Sequence, residues 1–466
     1  MIKKLDQALS YFNDKIKDCI KTNKSIIIIT HIDCDGLVSG SVIMKSLIRE
    51  GAKCTVRAVN EFSNKLIEDL QKVSRDFYVI TDMGSQFSKE LDVSLSDKWL
   101  VLDHHRISDI ELDNEKVINA WKYGIDGGKE ICAGGMAYLA SCRMDEKNHD
   151  LAWLPIIAAL GDRQDHGNKK SFTGLNNEIV KVATDKHQIE MGLDLLLVGR
   201  ETKPIHNALA STSNPFIKGL TWNNDACLSL LNSSGVQLKD GKKWRVVSEL
   251  TYDEKMKIVE AITKFTISKN ATEITEELVG YVYTLPNENR RSVLHDCREF
   301  STMLNSCGRI NKSGVGIALC IGNRESIIEA ENTLMEYRKT IRKQMNVLAN
   351  ERWRTNNSKN FVIVNGTDVI PETMTGTICS LIASSQKNDD KKVIIVITNG
   401  ENDTVKISSR KPVNCKFDIN LSDIMQKCAK KNDGVGGGHN NAAGAKISKT
   451  KIDEFLECLE YNAPVM

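Results

Sequence analysis

The sequence has no excess of charge of either sign: 63 Lys and Arg stand against 61 Asp and Glu. A polyanionic partner must therefore be held by a local groove, because bulk attraction is missing. C-x-x-C pairs are absent and the cysteines number thirteen, an odd count, which argues against zinc ribbons and a complete disulfide framework. They are scattered from Cys19 to Cys458, several in apolar runs such as Ala318-Leu319-Cys320, and are expected as reduced core filler. The opening Met1-Ile2-Lys3-Lys4-Leu5-Asp6 lacks the apolar stretch of a signal peptide, and no run approaches ~18 apolar residues. A soluble, cytoplasmic protein without membrane contact is expected. Internal repeats and low-complexity tracts are also missing, which leaves an ordinary globular chain.

What is present begins with length. At 466 residues the chain exceeds one ordinary core, so two or three domains are expected. Ile26-Ile27-Ile28-Ile29-Thr30 reads as a strand buried on both faces of a parallel sheet. A helix is expected from Gly36 to Glu50, strands at Cys54–Val59, Phe77–Thr81 and Trp99–Leu102, and a buried helix from Leu151 to Leu160. Strands separated by helices predict an α/β, doubly wound parallel-sheet domain whose ligands collect beyond the carboxyl ends of its strands. The middle, with turn signals such as Asn232-Ser233-Ser234-Gly235 and Leu285-Pro286-Asn287, reads as a smaller module. A long linker helix follows from Glu325 to about Arg354, its basic face of Arg338, Lys339, Arg342 and Lys343 read as solvated ahead of phosphate-tracking. A second α/β pattern closes the chain, with strands at Phe361–Val364, Val393–Thr398 and Val405–Ser408 and a helix over Glu372–Gln386.

The acids fall where the strands stop. His31-Ile32-Asp33-Cys34-Asp35-Gly36 follows the first strand, Asp82 the strand ending in Thr81, and Asp103-His104-His105 the strand ending in Leu102. The helix from Leu151 ends in Gly161-Asp162-Arg163-Gln164-Asp165. In extended backbone His31, Asp33 and Asp35 point the same way, and Gly36 permits a sharp entry into a helix. Singly, Asp35 or Asp82 reads as a helix N-cap. Together, about five acids and three histidines at one rim require divalent cations to offset their repulsion. Oxygen-rich ligation with some imidazole suits Mn²⁺ or Mg²⁺, manganese first. Two such ions about 3.5–4 Å apart would activate water and clamp a phosphoryl group. Cys34 is expected to face the core.

These four ordered motifs resemble those of the DHH phosphoesterases, down to the tripeptide Asp103-His104-His105. The resemblance implies that His31, Asp33 and Asp82 hold one metal, and Asp35, Asp82, His104 and Asp162 the other, with Asp82 bridging. It places His105 against the scissile phosphate and Asp103 as the residue orienting its neighbours. Asp165 has no place in the pattern. Gly436-Gly437-Gly438-His439 alone reads as a flexible loop, but it resembles the substrate-gripping loop of the DHH-associated domain, and Ser408-Ser409-Arg410 resembles that domain's phosphate-binding arginine segment. Thr375-Gly376-Thr377 resembles its turn into a helix. The implied division is 1–214 for the catalytic domain, 215–296 for an inserted module, 297–356 for connecting helices and 357–466 for the DHH-associated domain.

Within the family, Pro215-Phe216-Ile217-Lys218-Gly219-Leu220 and the run Glu299-Phe300 to Leu304-Asn305-Ser306-Cys307-Gly308-Arg309 are similar to archaeal RecJ-like members. The activity implied is exonucleolytic hydrolysis of single-stranded DNA or RNA to mononucleotides, in replication or repair. The alternatives are a phosphoesterase of short oligonucleotides or nucleotide bisphosphates, and a replisome scaffold. A GINS replication complex, bound through the middle module, is the implied protein partner.

Overall fold

Ile26, Ile28 and Ile29 are almost wholly buried, because the strand they form lies inside a sheet covered on both faces. The computed structural model describes residues 2–73, 75–106, 114–266, 271–385, 392–412, 415 and 418–463. The first third runs α1 (Ile2–Lys21), β1 (Ser25–His31), α2 (Cys34–Arg49), β2 (Lys53–Val59), α3 (Asn64–Val73), β3 (Phe77–Thr81), α4 (Ser88–Leu95), β4 (Trp99–Asp103) and β5 (Val117–Asn119). Then come α5 (Ala133–Met144), α6 (Trp153–Gly161) and α7 (Gly174–Asp185). The five strands are parallel, in the order β2-β1-β3-β4-β5. Leu66, Ile67 and Leu70 of α3 and Leu91 and Leu95 of α4 pack on Ile27, Ile29, Ile80 and Val101. On the other face Gly40 of α2 approaches Thr30 and Val56 so closely that a Cβ would lie 2.9 Å from the threonine methyl. Helices connecting the parallel strands produce this α/β arrangement.

By its contacts the chain divides into two compact units, 1–212 with 217–334, and 335–466 with 213–216. Within the first unit, the middle of the chain has an apolar cluster of its own. It starts at Leu195, upstream of the expected module, and ends at Leu278. Antiparallel strands Glu190–Leu195 and Val279–Thr284 flank it. The expected linker helix spans Ile327–Asn350, and Arg352–Arg354 form a separate turn.

The second unit carries a six-stranded mixed sheet in the order Thr355–Asn357, Phe361–Asn365, Val393–Asn399, Thr404–Arg410, Ala442–Ser448, Val435–His439. Two expectations change here. Gly436–His439 is no loop but an edge strand, paired residue for residue with Ala442–Ala445. A Cβ on Gly436 would lie 2.5 Å from the Met425 carbonyl oxygen, so glycine is needed for close packing. Cys428 and Cys458 are not reduced core filler but form a disulfide between helices Leu421–Lys431 and Ile452–Asn462. The two helices pack with these Cα atoms 5.7 Å apart, within bridging reach. Eleven other cysteines are free, eight of them buried. Among the described residues no helix is long and apolar enough to cross a membrane.

Candidate metal centre

Strands β1, β3 and β4 are neighbours, so their carboxyl ends lie side by side. His31 closes β1, Asp82 follows β3, and Asp103 closes β4 with His104 and His105 beyond it. Asp162 caps the carboxyl end of α6. The route to this cluster differs from simple strand alternation. The chain leaves extended geometry at Asp33, which is the N-cap of α2 and accepts the Gly36 N–H at 3.0 Å. Asp35 therefore projects from the first turn of a helix. Gly36 is required by space more than by conformation, since a Cβ would collide with the His31 carbonyl oxygen.

Two neighbouring groups result. His31 Nδ1 lies 2.8 Å from Asp33 Oδ2 and 3.6 Å from Asp82 Oδ2. His104 Nε2 lies 3.2 Å from Asp82 Oδ1, 3.4 Å from Asp35 Oδ2 and 3.7 Å from Asp162 Oδ2. One Asp82 oxygen thus faces each group. Asp82 has φ of +64°, a conformation uncommon outside glycine and frequent at functional sites. The floor, Asp35, Asp82 and His104, is buried, whereas His31, Asp33, Asp162 and His105 reach partial exposure.

The electrostatics describe a site short of positive charge. Burial, and next the Asp82 carboxylate, push the Asp35 carboxyl well above the usual range. Burial alone would lower His31, but Asp33 and Asp82 hold it at about 10. Burial opposes ionisation of Asp33 too, and His31 overrides it, drawing that carboxyl below its ordinary value. His104 is raised in spite of its burial by Asp82, Asp162 and Asp35. Asp35, His31 and His104 are all drawn toward their protonated forms where divalent cations fit. Neither Asp82 oxygen receives a hydrogen bond among the described residues, although both are buried. Such orphaned acceptors between two imidazole–carboxylate sets suit a bridging ligand of two cations. Three groups here could hold an ion: His31 with Asp33 and Asp82; Asp35 with His104 and Asp162; and Asp82 with His104 and His105.

Family models match three stretches: the DHH family N-terminal domain over residues 25–160, the DHH-CID domain over 197–279 and the DHHA1 domain over 360–463. An uncharacterized protein of Methanocaldococcus jannaschii is 30% identical over 463 residues, covering 95% of this chain and 97% of its own. The chain belongs to the DHH family. Its members are typically hydrolases of phosphoester bonds. This RecJ-like DHH chain shares its fold with RecJ of Thermus thermophilus in complex with Mn²⁺ (TM-score 0.58, 13% identity), covering 98% of this chain and 55% of the RecJ chain. CDC45 of Entamoeba histolytica is also similar (TM-score 0.62, 11% identity), with 98% of both chains covered.

Around the DHH tripeptide, Asp103 accepts the backbone N–H of His104 at 2.8 Å, that of His105 at 3.1 Å, and His105 Nδ1 at 2.9 Å. It fixes the backbone of both histidines and the ring of His105. Other supports have no sequence signature of their own. Asp35 accepts the N–H groups of Ala133 and Gly134, at 2.8 and 2.7 Å, from the start of α5. His104 Nδ1 donates to the Gly127 carbonyl at 2.6 Å. Asn305, on the Cys297–Arg309 helix, accepts the Cys34 N–H at 3.0 Å, and a Cβ on Gly308 of that helix would collide with the Ile32 carbonyl oxygen. Glycine and carboxamide in the Leu304–Arg309 run thus seat the helix on the His31–Asp35 loop. Cys34 is buried toward the core, its thiol 3.5 Å from the Ile157 carbonyl. Asp165 pairs with Arg298 at 2.8 Å.

In the DHHA1 part, Arg410 ends the Thr404–Arg410 strand, donating to the Ser380 hydroxyl at 3.0 Å and to the Ser409 carbonyl at 2.8 Å. Arg410 pairs in register with Ala442, and Ala442 with His439, at the same end of the sheet as the glycine-rich strand's last residue. Thr375 opens the Thr375–Ser385 helix.

Proposed function

We propose that this DHH-family protein is a metal-dependent exonuclease that hydrolyses phosphodiester bonds of single-stranded DNA or RNA to mononucleotides. The observation that carries the reading is Asp82, buried between two imidazole–carboxylate groups with neither oxygen hydrogen-bonded among the described residues. His31, Asp33 and Asp82 are the proposed ligands of one cation, and Asp35, Asp82, His104 and Asp162 those of the other. When bound, two divalent cations, manganese ahead of magnesium, supply an activated water and neutralise charge on phosphoryl oxygens. Asp103 grips His105 by Nδ1, so the ring is oriented for contact with the scissile phosphate. Arg410 and Gly436–His439 are the candidates for holding the strand, by guanidinium and by backbone amides that lack side-chain cover. In this reading residues 1–214 form the catalytic part, 215–296 an inserted module, 297–356 the connection and 357–466 the substrate-binding part.

A time course in Mn²⁺ with single-stranded DNA and RNA labelled at either end tests activity, sugar preference and direction together. Mononucleotide release by the wild type, with a loss of at least about 10³-fold in Asp82→Ala, is expected. Equal rates for the two proteins would refute the assignment. Faster hydrolysis of a dinucleotide than of a long strand would favour the short-oligonucleotide alternative.

The CDC45 likeness over 98% of both chains favours a second reading, a replisome scaffold. The two are compatible if the middle module binds a GINS complex. Co-purification with GINS, lost on deleting the Lys239–Trp244 hairpin region but not in Asp82→Ala, would support it.

A further inference from the structure

Gln164 has no part in the proposed cation sets, yet it is fully buried two residues beyond Asp162. Arg163, between them, has φ of +56°, which turns the chain so that Gln164 points inward. Its Nε2 lies 2.9 Å from the Gly127 carbonyl and 3.2 Å from Asp162 Oδ2, and its Oε1 lies 2.7 Å from Asn176 Nδ2 on α7. The carbonyl and the carboxylate can only accept. The amide must therefore aim its NH₂ at them and its oxygen at Asn176, which fixes its orientation by chemistry. The same Gly127 carbonyl receives His104 Nδ1, which must then carry the proton. With Nδ1 engaged, Nε2 is the ring nitrogen that faces Asp35, Asp82 and Asp162.

One carboxamide thus reaches both sides of a single ligand set: Asp162 directly, His104 through a shared carbonyl. We propose that Gln164, held in orientation by Asn176, is a positioning residue for the half of the centre formed by Asp35, His104 and Asp162. The proposal rests on the two-cation reading above. Gln164 does not meet the His31 and Asp33 side, so its influence is confined to one of the two cations. Partners of this kind, one step removed from a metal, commonly alter affinity by ~10–100-fold when lost.

The test uses Gln164→Met, which keeps length and apolar volume while deleting both donors. Asn176→Leu, which removes the donor that holds the Gln164 oxygen, serves as the second variant should the first fail to fold. Mn²⁺ is titrated by calorimetry into the metal-free full chain, with electron paramagnetic resonance of the bound ion and a metal-free melting curve for each protein. The wild type is expected to take up two equivalents. Each folded variant is expected to keep one with near wild-type affinity and to bind the other ~10–100-fold more weakly. The spectrum of a spin-coupled pair should give way to that of an isolated ion at limiting metal. Two equivalents at wild-type affinity in both variants would overturn the proposal, as would loss of both equivalents together with a lowered metal-free melting temperature. A wild type that binds no Mn²⁺ would instead bring down the two-cation reading itself.

Discussion

Glu299, on the Cys297–Arg309 helix, is 6% exposed and accepts the Glu201 N–H at 2.8 Å and the Thr202 hydroxyl at 2.5 Å. Arg200, beside it, is already shared among Asp194, Glu201 and Asp296. Burial, and then Asp296, push the Glu299 carboxyl up to about 7 from an ordinary 4.5. The native state therefore holds a proton that the unfolded chain releases, and stability should fall as pH rises from about 4.5 to about 7. Glu299→Gln removes the ionisation while preserving the shape. It is expected to flatten that slope and to stabilise the protein above pH 7 by on the order of 2 kcal/mol, read as a melting-temperature gain over the wild type at pH 8 that vanishes near pH 4.5. A gain of equal size at both pH values would exclude this origin. Asp82 presents the contrasting case, a buried acid with neither oxygen hydrogen-bonded among the described residues.

At the scale of elements, the second unit closes its core with a covalent staple. Cys428 and Cys458 tie helix Leu421–Lys431 to helix Ile452–Asn462, 30 residues apart in sequence. The first of these helices lies directly under the glycine-rich strand, at the Met425 carbonyl. Closing a loop of this length restricts the unfolded chain, a stabilisation of about 2–4 kcal/mol. Cys458→Ser should lower the melting temperature of oxidised protein accordingly, and dithiothreitol should lower that of the wild type while leaving the variant unchanged. Equal sensitivity of both to the reductant would show that the bridge adds nothing.

For the molecule as a whole, two compact units with separate cores predict separate unfolding transitions. The acid cluster lies wholly in the first unit, so Mn²⁺ should raise one transition and leave the other in place. At 100-fold excess over its dissociation constant the stabilisation is about 2.7 kcal/mol per site. Calorimetric scans of wild type and Asp82→Ala check this, the shift being expected in the wild type alone. Equal shifts in the two proteins would place manganese elsewhere on the surface.

The sequence by itself determined the strand tips. Ile26–Thr30, Phe77–Thr81 and Trp99–Leu102 are short apolar runs, each followed at once by an acid or imidazole, and both signals are local. The DHH resemblance and the α/β pattern were legible for the same reason. Tertiary structure alone decided what lies beside what. It set β1 next to β3 and β3 next to β4, and turned Asp35 inward from a helix. It also brought a Gly127 carbonyl, Gln164 and Asn176 together behind His104. A backbone carbonyl has no residue type to announce it, and partners far apart along the chain carry no spacing. The glycine strand and the disulfide escaped local reading likewise, because pairing partners and helix packing are set by distant chain.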